Sequence, residues 1–251
     1  MPRVNPRKDV FNKLIANPSC VALAKEVGCC GGTEVEFETD EQKEWKDRWY
    51  GKVIHYTVKY NNECPLISKK VMKRALNIAM TTWSIEIPIK IKSLYRNINN
   101  ADIIISFSKA KDDQYFNERP GVLAYAYFPA TSKAGEIVFN TDYIWATHSR
   151  GVLGSEAVKL GLVDQAFPTN KLVTWNIIHT LIHEIGHSLG LRHDSDHNSR
   201  DVMDPYYDGE ILDLSERDLY RIRLKYGVRN WSSWTKYNTI KKWLLKRVRR
   251  I

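Results

Sequence analysis

Apolar residues along this chain fall into two rhythms, and the order of those rhythms outlines a fold. In residues 51–60 (GKVIHYTVKY), Ile54, Tyr56 and Val58 alternate with polar neighbours in a β-branched and aromatic run, which predicts a half-buried strand. From Ser68 to Trp83 the period changes: Val71, Ala75, Ile78, Ala79 and Trp83 recur at helical spacing behind Ser68, a good N-cap residue. Ile87–Ile91, Ala101–Phe107, Val122–Phe128 and Glu136–Phe139 read as strands, with ADIIISF apolar enough to be central. Helical spacing returns over Ile177 to Leu189 and again over Leu214 to Tyr226, where Leu219, Ile222 and Tyr226 share a side and Gly227 is the stop. The order β-α-β-β-β-β, helix, helix predicts an α+β fold: a twisted mixed five-stranded sheet with flanking helices and a C-terminal helix.

Upstream, Val10, Leu14 and Ile15, then Val21, Leu23 and Ala24, suggest two short helices in residues 1–35, broken by Gly28, Gly31 and Gly32. Residues 36–48 are charged and read as loop. With 251 residues the chain can bury one sizeable core, alone or with a small appendage. No apolar run approaches the ~18–20 residues of a transmembrane helix, and MPRVNPRKDVFNKL lacks the apolar stretch of a signal peptide. Cys20, Cys29, Cys30 and Cys64 all lie in the first quarter, which leaves the redox compartment open.

Charge is distributed unevenly. The chain has 38 basic and 29 acidic residues, for a net +9; eight of the basic residues and none of the acidic ones fall in 228–251, so the remainder is close to neutral. Trp231, Trp234, Trp243, Leu244, Leu245 and Val248 are interspersed with those charges. The segment reads either as a basic amphipathic helix for an anionic membrane surface or polyanion, or as a solvated tail. No base-reading motif points to a specific nucleic acid.

The chemistry is concentrated in HEIGHSLGLRH, residues 183–193. Residues i and i+4 share a helix face, so His183 and His187 can direct two imidazoles at one metal ion, with Glu184 beside it as a non-ligand. Gly190 can end the helix at positive φ and return His193 as a third ligand. Three ligands leave an open position for water, as in catalytic rather than structural zinc sites. Zinc in such a site acidifies water toward a pKa of ~7 and polarises a peptide carbonyl. Glu184 would then take the water's proton and deliver one to the leaving amine. Ten residues further on, Met203 sits in the turn-like DVMDPYY. The bland alternative, two partly exposed histidines on a helix face, does not account for the glycine, the third histidine and the methionine together.

These strings, with VIHYTVKY, Thr82-Trp83-Ser84, Ala101-Asp102-Ile103, PGVLAYA at 120–126, Phe139-Asn140-Thr141-Asp142 with Trp145, and Pro205-x-Tyr207, resemble the matrixin branch of the metzincin zinc endopeptidases over roughly residues 30–227. The resemblance implies a metzincin-like catalytic domain at 36–227. Within it, 146–176 is an insertion loop longer than the family's link to the metal helix. Residues 1–35 form a short propeptide-like segment, and 228–251 a basic tail where larger members carry a haemopexin-like domain. It implies a monomeric protease of extracellular-type proteins, the strand around Val122–Tyr127 pairing with substrate and Pro205–Tyr207 bordering the S1′ pocket. His179, one turn before His183, falls where the family shapes that pocket's depth. The Asp194 after His193 and the longer spacing to Met203 resemble the adamalysin branch instead.

Departures from the family pattern carry expectations of their own. No histidine occurs between His55 and His148, and Tyr125 and Val138 stand where the family has histidines of a structural zinc. One zinc, the catalytic one, is expected, with Tyr125 filling space by packing. Calcium positions are eroded: Asp102 remains, with Glu136 beside it as a possible oxygen ligand, while Asn140 and Tyr143 replace carboxylates. In GCCGGTE, Cys30 takes the place of the family's inhibitory switch cysteine and Glu34 that of its aspartate, but the arginine is missing. The competing function is a polyanion- or membrane-binding protein on a catalytically silent metzincin scaffold; the intact Glu184 argues against it.

Overall fold

The computed structural model describes residues 49, 51–60, 67–94, 98–129, 131–143, 145–147, 152–153, 171–172, 175–193, 200–205 and 211–248. The propeptide-like segment, all four cysteines, Tyr207, Asp194 and most of 146–176 lie outside the described residues.

A five-stranded sheet in the order β2-β1-β3-β5-β4 forms the scaffold. Strand β1 (Val53–Val58) turns Ile54 and Tyr56 inward, as its alternation requires. Helix α1 (Lys69–Ser84) starts at Ser68, whose hydroxyl accepts the Val71 N–H, and buries Met72, Ala75, Leu76, Ile78, Ala79, Met80 and Trp83. The edge strand β2 (Lys90–Ser93) begins later than the apolar pattern predicts. Ile85, Ile87 and Ile89 are buried in the core on the approach to the sheet, and pairing starts only at Val53 opposite Lys90. Apolar alternation there marks burial, not ladder formation. Strand β3 (Ile103–Ser108) is central, parallel to both β1 and β5 (Glu136–Asn140). The antiparallel strand β4 (Ala124–Ala126) closes the edge, Tyr125 opposite Val138.

Helix α2 (Gln114–Glu118) carries too few apolar residues to give a periodic signal. It is nucleated by Asp113, whose carboxylate accepts the Tyr115 and Phe116 N–H groups, and it buries only Phe116. Beyond β5, β6 (Trp145–Ala146) pairs in parallel with β9 (Trp175–Asn176), so the long insertion leaves and returns at one place. Within it β7 (Val152–Leu153) pairs antiparallel with β8 (Lys171–Leu172).

Three helices follow: α3 (Ile177–Ser188), α4 (Glu216–Tyr226) and α5 (Trp234–Val248). Helix α3 is buried along its whole length and packs against α1 and β4. The basic segment read as a tail carries α5, a helix docked on α1. Its Leu244 is 1% exposed and belongs to the main core. Trp231 donates its indole N–H to the Ile85 carbonyl at 3.0 Å, and the Arg229 guanidinium donates to that of Ile89. Glu86, itself buried, accepts Arg223 at 2.5 Å and the Tyr237 hydroxyl at 2.9 Å, with the Lys241 ammonium 3.9 Å away. No described helix is long and apolar enough to cross a membrane.

Candidate metal centre

Helix α3 positions the site by its period and by how it ends. Asn176 caps its start, accepting the Ile178 N–H at 2.9 Å. At its end Gly190 has φ 88°, the Leu191 N–H bonds the Gly186 carbonyl (2.9 Å), and the Gly190 N–H bonds that of His187 (2.8 Å). This is the paired-bond turn for which a C′ glycine is suited. It brings His193 back over the helix face bearing His183 and His187.

The three Nε2 atoms form a triangle with sides 3.0, 3.2 and 3.3 Å. Tetrahedral bonds of about 2.0–2.1 Å to zinc would hold neighbouring nitrogens about 3.3 Å apart. The opposite ring nitrogens explain the spacing chemically. His183 Nδ1 lies 2.6 Å from the Val202 carbonyl and His187 Nδ1 lies 2.7 Å from the Leu191 carbonyl. A carbonyl can only accept, so in both rings Nδ1 carries the proton and Nε2 presents its lone pair. Lone pairs facing one another at this distance repel unless a cation lies between them. Burial, then the neighbouring imidazoles, holds the pKa of His183 and of His187 well below the ordinary histidine value, so both rings are neutral and fit to ligate. Among the described residues this is the group of three or more metal-ligating side chains.

Glu184 gives a second test of fit. Its side chain is fully buried, and neither carboxylate oxygen has a hydrogen-bond partner among the described residues. Burial raises its pKa well above the usual range. An orphaned carboxylate beside three converging imidazoles matches a site completed by a cation and its water.

Around these residues lies a supporting layer that the sequence reading missed, apart from Met203. Met203 is fully buried beneath Gly186. Asp218 accepts the N–H groups of Val202 (2.9 Å) and Met203 (3.4 Å), so one carboxylate fixes the methionine turn whose Val202 carbonyl orients His183. Asp218 also closes a capping box with Ser215 at the start of α4. The Ser215-x-x-Asp218 spacing was the available signal, although it announces a helix start rather than a tie to the turn. Arg221 donates to the carbonyls of Arg192 (2.7 Å) and His193 (3.3 Å), holding the loop that carries the third histidine. Carbonyls at the buried end of α3 are taken by Trp49 (to Ser188, 2.9 Å) and Tyr226 (to Leu189, 2.7 Å).

The remaining sequence-derived candidates are placed as follows. His179 is buried, with Nδ1 2.8 Å from the Ile211 carbonyl, and Pro205 is partly exposed beyond Met203. Asp102 spends its carboxylate on β1: Oδ2 accepts the His55 N–H at 2.7 Å and lies 3.5 Å from His55 Nδ1. Tyr125 packs against Tyr115, Phe116 and Tyr127 and donates its hydroxyl to Asp113 at 2.9 Å.

The model of the matrixin family of peptidases matches residues 48–227, and the chain belongs to that family. Matrixins are zinc-dependent, and His183, His187 and His193 are positioned to hold the ion. Similar proteins include matrilysin of Felis catus, 34% identical over 74% of this chain and 63% of that protein. Human matrilysin is 32% identical over 73% of this chain and 60% of its own length. Rabbit (Oryctolagus cuniculus) macrophage metalloelastase is 28% identical over 71% and 33%. The chain thus spans about 60% of the length of the matrilysins it matches.

Proposed function

We propose that the chain is a zinc-dependent endopeptidase in which Glu184 is the general base and acid. The observation that carries this reading is the buried, unpartnered Glu184 carboxylate beside three Nε2 atoms 3.0–3.3 Å apart. A bound zinc ion supplies Lewis-acid polarisation of the scissile carbonyl and acidification of water. His183, His187 and His193 hold it through Nε2. Glu184 accepts a proton from the attacking water and returns one to the leaving amine. With no partner among the described residues, both oxygens are available for that exchange. Strand β4 is the outer strand of the sheet and packs against α3, so an extended peptide can add to its open edge across the metal centre.

The finer assignments belong to the same proposal. His179, Pro205 and Tyr207 border the pocket for the residue after the cleaved bond, and His179 makes it short and polar. Cys30 blocks the metal in a latent form. Asp102 offers Oδ1, the oxygen that His55 does not engage, to a calcium site. The protein acts as a monomer on extracellular-type proteins, and residues 228–251 supply affinity for an anionic surface or polyanion. Incubation with a quenched peptide library tests the core of this reading. Cleavage abolished by a zinc chelator and restored by zinc supports it; absence of cleavage by the zinc-loaded protein overturns it.

A further inference from the structure

Helix α5 lies beyond the residues matched by the matrixin model. Between it, α1 and the β1–β2 edge is a groove of about 780 Å³. Five of its ten lining residues are cationic, namely Lys70, Lys73 and Arg74 from α1 and Lys246 and Arg247 from α5, and none is acidic. Trp243 lines the same wall, the Arg247 guanidinium lying 4.4 Å from its ring centre.

The two helices divide their charges. On α5, Lys241 faces inward to Glu86 and Asp213. Lys70, Arg74, Lys246 and Arg247 have no carboxylate partner among the described residues, and the buried Arg74 Nε has no hydrogen-bond partner there. Residues 70, 73, 74 and 77 share the face of α1 opposite Met72, Ala75, Ala79 and Trp83. On that opposite face Trp83 donates to the Ile182 carbonyl of the metal helix at 2.8 Å. Like charges gathered on two packed elements repel one another, a cost that a bound anion offsets.

We propose that this groove binds a linear sulfated polysaccharide. The inference makes the polyanion affinity read from residues 228–251 more specific, and it does not depend on the peptidase reading. Two arginine forks and three lysine point charges suit a series of sulfate groups. A groove of this size takes a short oligosaccharide segment, within the roughly 300–1,000 Å³ of ordinary ligand sites. Buried Tyr56 and the buried Arg74 Nε place part of the groove below the surface that a flat bilayer would touch. Single-stranded nucleic acid is disfavoured because Tyr56 is buried and Arg247 covers one face of the 38%-exposed Trp243, which leaves a single ring face for base stacking. Because the groove lies on the polar face of α1, a bound chain tethers the protein and leaves the metal face open.

The test measures binding of heparin, uncharged dextran, phosphatidylcholine–phosphatidylserine vesicles and a single-stranded oligonucleotide to the full chain carrying Glu184→Gln, so that no cleavage intervenes. The groove variant is Lys73→Ala/Arg74→Ala/Arg247→Ala. A second variant, Lys70→Ala/Lys246→Ala, changes only exposed residues and guards against misfolding. The control is Lys236→Ala/Lys242→Ala, exposed on the same helix but outside the groove. Heparin binding should weaken about tenfold in the groove variant, severalfold in the second and less than about twofold in the control, and should decline with salt. No heparin binding, equal losses in groove and control variants, or tighter binding to the vesicles or oligonucleotide than to heparin would overturn the proposal.

Discussion

Gly186 lies directly over Met203: a Cβ added at residue 186 would stand 2.4 Å from the Met203 sulfur and 3.0 Å from the Trp83 ring. Methionine side chains usually yield, but this one is fully buried, and Trp83 is fixed by its bond to Ile182. The metal helix therefore rests on the methionine turn at contact distance. Gly186→Ala should cost about 1–3 kcal/mol through overpacking, even though alanine is the better helix former. Urea denaturation of the zinc-loaded protein measures it; an unchanged or raised midpoint contradicts the contact.

Asp218 should matter to the metal without touching it. Its carboxylate receives Val202, Met203 and Ser215 N–H groups, and the Val202 carbonyl in turn orients His183. Asp218→Asn replaces one accepting oxygen by a donor facing donors, for a loss of about 1–3 kcal/mol. Zinc transfer to a chromogenic chelator should be faster in the variant, since second-layer partners commonly change metal affinity about 10–100-fold. Equal transfer rates would reduce Asp218 to a helix cap.

The docking of α5 depends on Glu86. Tyr237→Phe removes the hydroxyl that α5 donates to that buried carboxylate at 2.9 Å. The expected cost is about 1.5–3 kcal/mol, that of a hydrogen bond to a charged group. Hydrogen exchange over 234–248 should accelerate in the variant while the metal helix stays protected. Uniform acceleration along the chain would show that α5 is not separately anchored.

Lys225 on α4 makes stability depend on alkaline pH. Burial first, and then the guanidiniums of Arg192 and Arg221, lower its pKa from 10.5 to about 8. The folded state therefore disfavours the charged form. The resulting cost is full below pH 8, declines as pH rises from about 8 to 10.5, and vanishes above the unfolded value. Lys225→Met should stabilise the protein at pH 7 by about 1 kcal/mol, allowing for solvent screening, with the advantage fading by pH 10.5. A gain of equal size at both pH values would assign it to packing instead.

What was legible in the sequence was what is local in it. The ligand set His183, His187 and His193 follows from helix period and one glycine turn, both contained within eleven residues. Central strand β3 and helix α1 were visible because their apolar rhythm is strong. The delayed start of β2 was not visible, because buried Ile87 and Ile89 mimic a strand while register is set by β1. Nor was the tie from Asp218 to Met203 or from Arg221 to the His193 loop, each a bond between segments many residues apart. The charge of 228–251 was legible, but its division was not. Only the docking of α5 shows Lys241 turned toward Glu86 while Lys246 and Arg247 join Lys70, Lys73 and Arg74.

The central claim, a zinc centre with Glu184 as its proton carrier, is tested most directly by measuring zinc content and peptide cleavage together in the wild type and Glu184→Gln. The account predicts one zinc per chain in both, with cleavage about 10²–10⁴-fold slower in the variant. Undiminished cleavage by Glu184→Gln at full zinc content, or a wild type that binds no zinc, would contradict it.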